Sequence, residues 1–242
     1  MKVVILCGAR GIRLKENGKL MQKALIPIGG TTLIYTIMKH FSFYGITDFI
    51  LCLDSKGYQI KEYFDNPNLP ENEGKNISQW NITFLDTGDY TMTGTRILKT
   101  KHLIGNEDFF VSYIDTLTDI NISKLLQTHK SMDCILTMTG VHPTYYLGII
   151  NHKDGYVTGF DFEAKIASTI KGCYFVCKPQ IFDYLSEAPQ CALEEEPLNK
   201  LIKEKQVALF DHKGFWKHLD FFKDIEQLKK FTREDDPSWK IQ

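Results

Sequence analysis

The chain has 242 residues, 43% hydrophobic and 24% charged, with 29 Lys and Arg against 30 Asp and Glu. That length and apolar content can bury a full core as one α/β domain over residues 1 to 242. A formal net charge of −1 offers no general attraction to nucleic acid or to an anionic membrane, so any anion this chain holds is held by a local arrangement.

The six cysteines, at 7, 52, 134, 173, 177 and 191, lie mostly in apolar runs without zinc-type C-x-x-C pairing. They read as reduced, buried small hydrophobes. No stretch has the length needed to cross a bilayer, and the chain starts directly on a strand instead of a secretory leader, so the expected location is the cytoplasm.

The first stretch, Val3 to Lys23, opens with β-branched residues (Val3, Val4, Ile5, then Leu6) that predict a buried strand. Gly8 and Gly11 follow, with Arg10 and Arg13 beside them. Glycines let backbone N–H groups approach an anion, guanidinium groups neutralise it, and Lys23 adds a flexible point charge. Neither the Gly-Lys-Ser/Thr ending of a P-loop nor the Rossmann Gly-x-Gly-x-x-Gly is present, so this is a different phosphate cradle.

Thr32 to Tyr44 carries apolar residues at helical spacing, Phe49 to Leu53 reads as a second buried strand, and Gly57 to Phe64 as a short amphipathic helix. This β-α-β opening predicts a parallel sheet with right-handed crossovers and a ligand site at the strands' carboxyl ends. Asp65 to Gln79 is polar, rich in Asn, Pro and Gly and without periodicity. It reads as a surface loop, a candidate lid or an arm to a neighbouring subunit of a homo-oligomer. A strand from Asn81 leads into DTGDYTMTGTRIL from Asp86, whose glycines and threonines suit either a nucleotide base or a capped helix start. Asp108 to Asp115 is an apolar strand ending in an acid, with Asp119 four residues on; Mg²⁺ favours such a carboxylate, although an acid there also caps a following helix. Short strands then recur at Cys134 to Thr139, Leu147 to Asn151, Tyr156 to Phe162 and Cys173 to Cys177, and their turn residues suggest a mixed sheet with added hairpins. Glu194 to Glu204 reads as a helix, Val207 to Asp211 as a strand, Phe215 to Asp220 as a brief extended piece, and Asp224 to Phe231 as a last helix.

Gly8 to Leu14, Lys23, DTGDYTMTGTR, Asp115, EEEPL at 194 to 198 and FWKHLD at 215 to 220 occur in the order seen in sugar-nucleotide pyrophosphorylases. More narrowly, the chain resembles the glucose-1-phosphate cytidylyltransferases along nearly its whole length, and DTGDYTMTG is the most specific part of the likeness. The resemblance implies a Rossmann-like mixed, mainly parallel sheet flanked by helices, of the nucleotide-diphospho-sugar transferase type. It also implies an enzyme that transfers CMP from CTP to a phosphorylated small molecule, giving a CDP-linked product and pyrophosphate with Mg²⁺ as cofactor. By similarity Asp115 and Asp220 hold the metal, and Arg13 and Lys23 neutralise phosphate charge. Leu6, Gly8, Ala9, Gly11, Thr87, Gly88, Thr93 and Gly94 contact the nucleotide, and Gly148, Glu163, Lys165, Lys171 and Glu196 the acceptor. Glu194, beside Glu196, is a further candidate acceptor of hydrogen bonds from a substrate hydroxyl or amine.

The departures fall mostly on the acceptor side. The family's Gly-Gly-x-Gly-Thr-Arg is here Cys7 to Arg13 with Ile12 in place of the hydroxyl, and its Gly-Asp-Gly is Ile114-Asp115-Thr116. Its Glu-Lys-Pro is broken to Glu163-Ala164-Lys165, and its Asn-Gly-Gly is Lys171-Gly172-Cys173. A lysine replacing a two-way hydrogen-bonding amide suits an anionic partner. On that ground the expected acceptor is not a hexose 1-phosphate, and the leading candidate by resemblance is L-glutamine phosphate, cytidylylated in capsule phosphoramidate synthesis. The alternatives are a glucose-1-phosphate cytidylyltransferase making CDP-glucose, with Lys171 turned to solvent, and a non-catalytic nucleotide-binding subunit, against which the two retained metal acids speak.

Overall fold

The computed structural model describes residues 1–8, 14–16, 19–143, 149–161, 168–219 and 224. Among them a seven-stranded sheet forms the centre. Its strands are β1 (Lys2–Leu6), β2 (Asp48–Leu53), β3 (Asn81–Asp86), β4 (Phe109–Tyr113), β6 (Leu136–Val141), β9 (Ile170–Cys177) and β10 (Val207–His212). In space the order is β10-β6-β9-β4-β1-β2-β3. Pairing is parallel at β1 with β2 and β4, at β2 with β3 and at β6 with β10, while β9 runs antiparallel to both its neighbours. This is the mixed, mainly parallel sheet that the strand spacing predicts.

Both faces are covered, which explains the unbroken apolar runs of the inner strands. On one face α1 (Leu33–Phe43) lays down Leu33, Ile34, Ile37, Met38 and Phe41. Its N-cap is Thr32, whose Oγ1 accepts from the Tyr35 N–H at 3.3 Å, and Phe41 stacks on Tyr174 of β9 at 5.5 Å. On the other face Ile97 of α4 (Thr93–Lys99), Ile104 of α5 (Lys101–Ile104), Leu201 of α7 (Glu196–Lys203) and the 3-10 turn Pro179–Tyr184 close a second core. There Phe109 stacks on Phe182 at 5.4 Å.

Outside the sheet, β7 (Ile149–Lys153) and β8 (Tyr156–Asp161) form a hairpin. Its turn residues Asp154 and Gly155 both have positive φ, 49° and 84°, as the Asp-Gly pair predicts. A second ribbon joins β5 (Thr116–Thr118) to β11 (Trp216–His218). No helix among the described residues is long and apolar enough to cross a membrane.

Three local features differ from the sequence pattern. Within 65–79, Glu71–Ile77 is helical (α3, after α2 at Tyr58–Phe64). It is held by polar contacts that leave no apolar period to read: Tyr63 donates to Glu73 at 2.6 Å and Asn76 to the Tyr35 hydroxyl at 2.6 Å. The helix α6 (Ile122–Met132) is capped by Asn121, whose Oδ1 accepts from Lys124 N–H at 2.9 Å, so neither Asp115 nor Asp119 is needed as its cap. Cys173 sits in β9 at φ 64°, beside a register shift opposite Met138 and Gly140; a left-handed non-glycine residue inside a strand is strained backbone. Of the helix predicted at Asp224 to Phe231, only Asp224 lies within the described residues.

Two outcomes follow from this packing. Asn121→Ala removes the α6 cap and is expected to lower stability by about 1 kcal/mol in urea denaturation. His40 of α1 is buried and donates from Nε2 to the Ile120 carbonyl at 2.7 Å; burial, opposed in part by that carbonyl, pushes its pKa down to about 4. The unfolded chain, with histidine near 6.5, then binds more protons than the native state between pH 6.5 and 4. Stability should therefore fall through that window as pH drops, by up to roughly 3 kcal/mol from this group. Urea midpoints compared between the native chain and His40→Gln would check it, the variant losing that part of the slope.

Candidate active site

The strand order reverses at β1. From there the chain winds outward through β2 to β3, then crosses back to lay β4 on β1's other side. At such a switch point no connection covers the carboxyl ends of the two central strands, and a crevice opens there. The residues singled out in the sequence cluster around it, in two halves divided by Asp115.

Asp115 lies two residues past the end of β4 and is fixed from both sides of the chain. Its carbonyl accepts from the Leu219 N–H at 2.8 Å, and Thr116 pairs with His218 in the β5–β11 ribbon. One carboxylate oxygen, Oδ2, lies 3.3 Å from the Nζ of Lys23, which is 8% exposed in the turn Lys23–Leu25. The other, Oδ1, is 3.7 Å from His218 Nδ1. Lys23 and Asp115, to both of which the resemblance gives roles around the α-phosphate, thus lie side by side. Asp220, the predicted second metal acid, comes immediately after Leu219 in the chain and lies outside the described residues. A hard carboxylate beside a lysine fits Mg²⁺, which takes one or two carboxylates and completes its shell with phosphate and water. Among the described residues no group of three His, Cys, Asp or Glu side chains could hold a metal alone.

The described residues that the resemblance assigns to the nucleotide lie toward β1, β2 and β3. Leu6 ends β1 within the core, and the Cys7 and Gly8 N–H groups both donate to the Cys52 carbonyl at 3.0 Å. Ala9, Gly11 and Arg13 lie outside the described residues. Behind Gly8 is Arg96 of α4, 3% exposed. Its guanidinium donates to the carbonyls of Thr91 at 2.9 Å, Gly88 at 2.9 Å and Leu53 at 3.3 Å, and to the Thr87 hydroxyl. One planar cation thereby shapes the whole turn 87–91 and ties it to the end of β2. Among the described residues no carboxylate reaches ion-pair distance of Arg96, although the charges of Asp54 and Asp89 act on it from farther away. Thr87 donates to the Leu53 carbonyl at 2.7 Å, and Gly88 turns at φ 88° with its N–H on Asp86 Oδ1 at 2.9 Å. Thr93 and Gly94 face another way. Thr93 Oγ1 donates to Glu194 at 2.7 Å, and a Cβ on Gly94 would lie 2.8 Å from the Cys191 carbonyl. Their smallness and hydroxyl dock the segment 188–194 onto the start of α4.

Lys171, which the resemblance assigns to the acceptor, lies across β4 at the beginning of β9. Lys171 bonds Glu194 Oε1 and stands 4.8 Å from the centroid of the Tyr113 ring. Tyr113 donates to the same carboxylate at 2.6 Å, and burial together with Glu194 drives the phenol pKa well above its ordinary value. Trp216 donates from Nε1 to the Gly172 carbonyl at 2.9 Å and stacks parallel to His218 at 6.0 Å. Glu196 is exposed in the first turn of α7, and it is Glu194, two residues earlier, that turns inward. Gly148, Glu163 and Lys165 lie outside the described residues. The sequence analysis gives Arg96 and Tyr113 no role of their own, although Arg96 closes the DTGDYTMTGTR motif and Tyr113 lies in the strand that ends at Asp115.

A Cβ on Gly8 would lie 2.7 Å from Arg96 Cζ, too close for either to stay in place. Gly8→Ala should therefore push the guanidinium off the 87–91 turn and weaken cytidine nucleotide binding at least tenfold in a calorimetric titration. Unchanged affinity would separate Arg96 from the nucleotide half.

A family model described as nucleotidyl transferase matches residues 2–235. The chain is 36% identical to the probable glucose-1-phosphate cytidylyltransferase of Bacillus subtilis (strain 168) across 100% of both chains. It is 33% identical to the glucose-1-phosphate cytidylyltransferase of Salmonella typhimurium across 99% of both. Among solved structures, UDP-glucose pyrophosphorylase complexed with UDP-glucose superposes with a TM-score of 0.76 at 16% identity, over 97% of this chain and 99% of that one, a likeness of fold. With a crevice at the switch point, the Lys23–Asp115 pair inside it and a family match over nearly its whole length, this chain belongs to the nucleotidyl transferase family.

Proposed function

We propose that the protein transfers CMP from CTP to glucose 1-phosphate, releasing pyrophosphate and forming CDP-glucose. The chain is a nucleotidyltransferase of the cytidylyl type. The observation that carries the reading is the Lys23–Asp115 pair at the β1–β4 switch point, in a chain similar from end to end to two glucose-1-phosphate cytidylyltransferases.

In this reading an oxygen of the acceptor phosphate attacks the α-phosphorus of CTP in line, the new P–O bond forming as the bond to pyrophosphate breaks. The nucleophile is already an anion, so no side chain has to remove a proton; the chain's work is to align two phosphates and neutralise them. Lys23, nearly buried and oriented by Asp115, brings one positive charge to the reacting phosphates. Arg96 adds a fixed field from behind Gly8 and keeps the 87–91 turn in the shape against which the nucleotide rests. A divalent cation held by Asp115 and Asp220 would supply further charge neutralisation at the α-phosphate when bound. A purely regulatory nucleotide-binding role would leave Lys23 and Asp115 without a task.

The acceptor is where this reading parts from the one based on residue types alone. Lys171 suggests an anionic acceptor such as glutamine phosphate, but its charge is matched by Glu194, and that matching favours the hexose 1-phosphate named for the two relatives. Pyrophosphate release measured with CTP, UTP, dTTP and ATP, each against glucose 1-phosphate and glutamine phosphate, tests the reading. CTP with glucose 1-phosphate should give the highest kcat/KM, and Asp115→Asn should lower it by roughly 100-fold or more. Equal rates with UTP would sink the base assignment, and turnover of glutamine phosphate alone would sink the acceptor.

A further inference from the structure

The acceptor half carries a charge pair that phosphate chemistry by itself does not require. Glu194 accepts at Oε1 from Lys171 and from Tyr113, the latter at 2.6 Å, and at Oε2 from Thr93 at 2.7 Å. The Lys171 and Glu194 side chains are 34% and 27% exposed, so the pair is neither out in solvent nor sealed in the core. Burial by itself would raise the Glu194 pKa, but the hydrogen bonds from Lys171, Tyr113 and Thr93 outweigh it and hold the carboxyl below its ordinary value, ionised at neutral pH. Tyr113, which bonds Glu194, ends β4 two residues before Asp115, and Trp216, which bonds the carbonyl of Gly172 next to Lys171, stacks on His218 beside Asp115. The pair therefore lies close to Asp115, one strand past β4.

We propose that Glu194 sets the charge class of the acceptor: by neutralising Lys171 it makes this end of the crevice accept a phosphorylated molecule that offers hydroxyls and no second anion, and reject one bearing a carboxylate. A hydroxyl can donate to Glu194 while accepting from Lys171, leaving both members of the pair satisfied. A carboxylate can reach the ammonium only by displacing Glu194, which sets two half-buried anions side by side. The proposal rests on the cytidylyl-transfer reading for the identity of the bound molecule, but it concerns binding and is read without turnover.

The test is calorimetric titration of the full chain, with Mg²⁺ and the unreactive α,β-methylene analogue of CTP, by glucose 1-phosphate and by glucuronic acid 1-phosphate, its carboxylate counterpart. The native chain should bind the neutral sugar at least tenfold more tightly. Glu194→Gln keeps the shape, with its one amide oxygen accepting from Tyr113 and its NH2 donating to the Thr93 hydroxyl, but it bares Lys171; the preference should shift toward the carboxylate by tenfold or more. Lys171→Gln leaves Glu194 unmatched and should shift the preference the other way, severalfold further toward the neutral sugar. Opposite movements report charge, which a merely structural pair would not produce. If the ratio is the same in all three proteins, or neither probe binds the native chain, the proposal is wrong; if Glu194→Gln does not fold, an unchanged ratio in Lys171→Gln overturns it alone. Pyrophosphate release by the native chain decides the cytidylyl reading separately, so the two can fail independently.

Discussion

Everything in this chain's crevice depends on the reversal of strand order between β1 and β4. Because the connections leave those two strands in opposite directions, a lysine and an acid can gather at their ends without a crossover covering them. The sheet supplies rigidity and the loops supply chemistry. The antiparallel β9 brings the start of a strand, and with it Lys171, to the edge where its neighbours end.

Two ionised side chains organise the halves of that crevice, and they do so differently. Arg96 is buried and spends its donors on backbone carbonyls and one hydroxyl, so it acts as a permanent shape-holder with a residual field. Glu194 is partly open and is met by a cation, a phenol and a hydroxyl, a set that a substrate can share. Truncating Arg96 would orphan several acceptors at once. Altering Glu194 changes mainly what the neighbouring lysine attracts. Thr93 connects the two, on the helix that carries Arg96 and bonded to Glu194.

Much of this was legible from residue order. Periodicity and turn residues marked each strand of the central sheet, and the meeting of Lys23 with Asp115, 92 positions away, came from the family likeness of motifs that spacing alone could not have joined. Other parts were hidden for physical reasons. Arginine in a short helix ordinarily reads as a solvated face; that Arg96 turns inward depends on the carbonyls of Leu53 and Gly88, which only tertiary packing brings near. Within Glu194, Glu195 and Glu196 the helix begins at the third, and periodicity says nothing about where the residues before a helix point. The helix Glu71–Ile77 escaped notice because hydroxyl and amide contacts anchor it where apolar ones would have shown a period. Lys171 invited a reading from its own charge, and its partner lay 23 positions away.

The ribbon between Thr116–Thr118 and Trp216–His218 joins stretches a hundred residues apart. Closing so long a loop is entropically costly and slow compared with the local β-α-β units before it. During synthesis the amino-terminal strands can therefore assemble while Asp115 still lacks its second support, the Leu219 contact, and the chain becomes competent only once its final portion has been made. A fragment ending short of that ribbon would lack both the Leu219 bond to the Asp115 carbonyl and the pairing of Thr116 with His218.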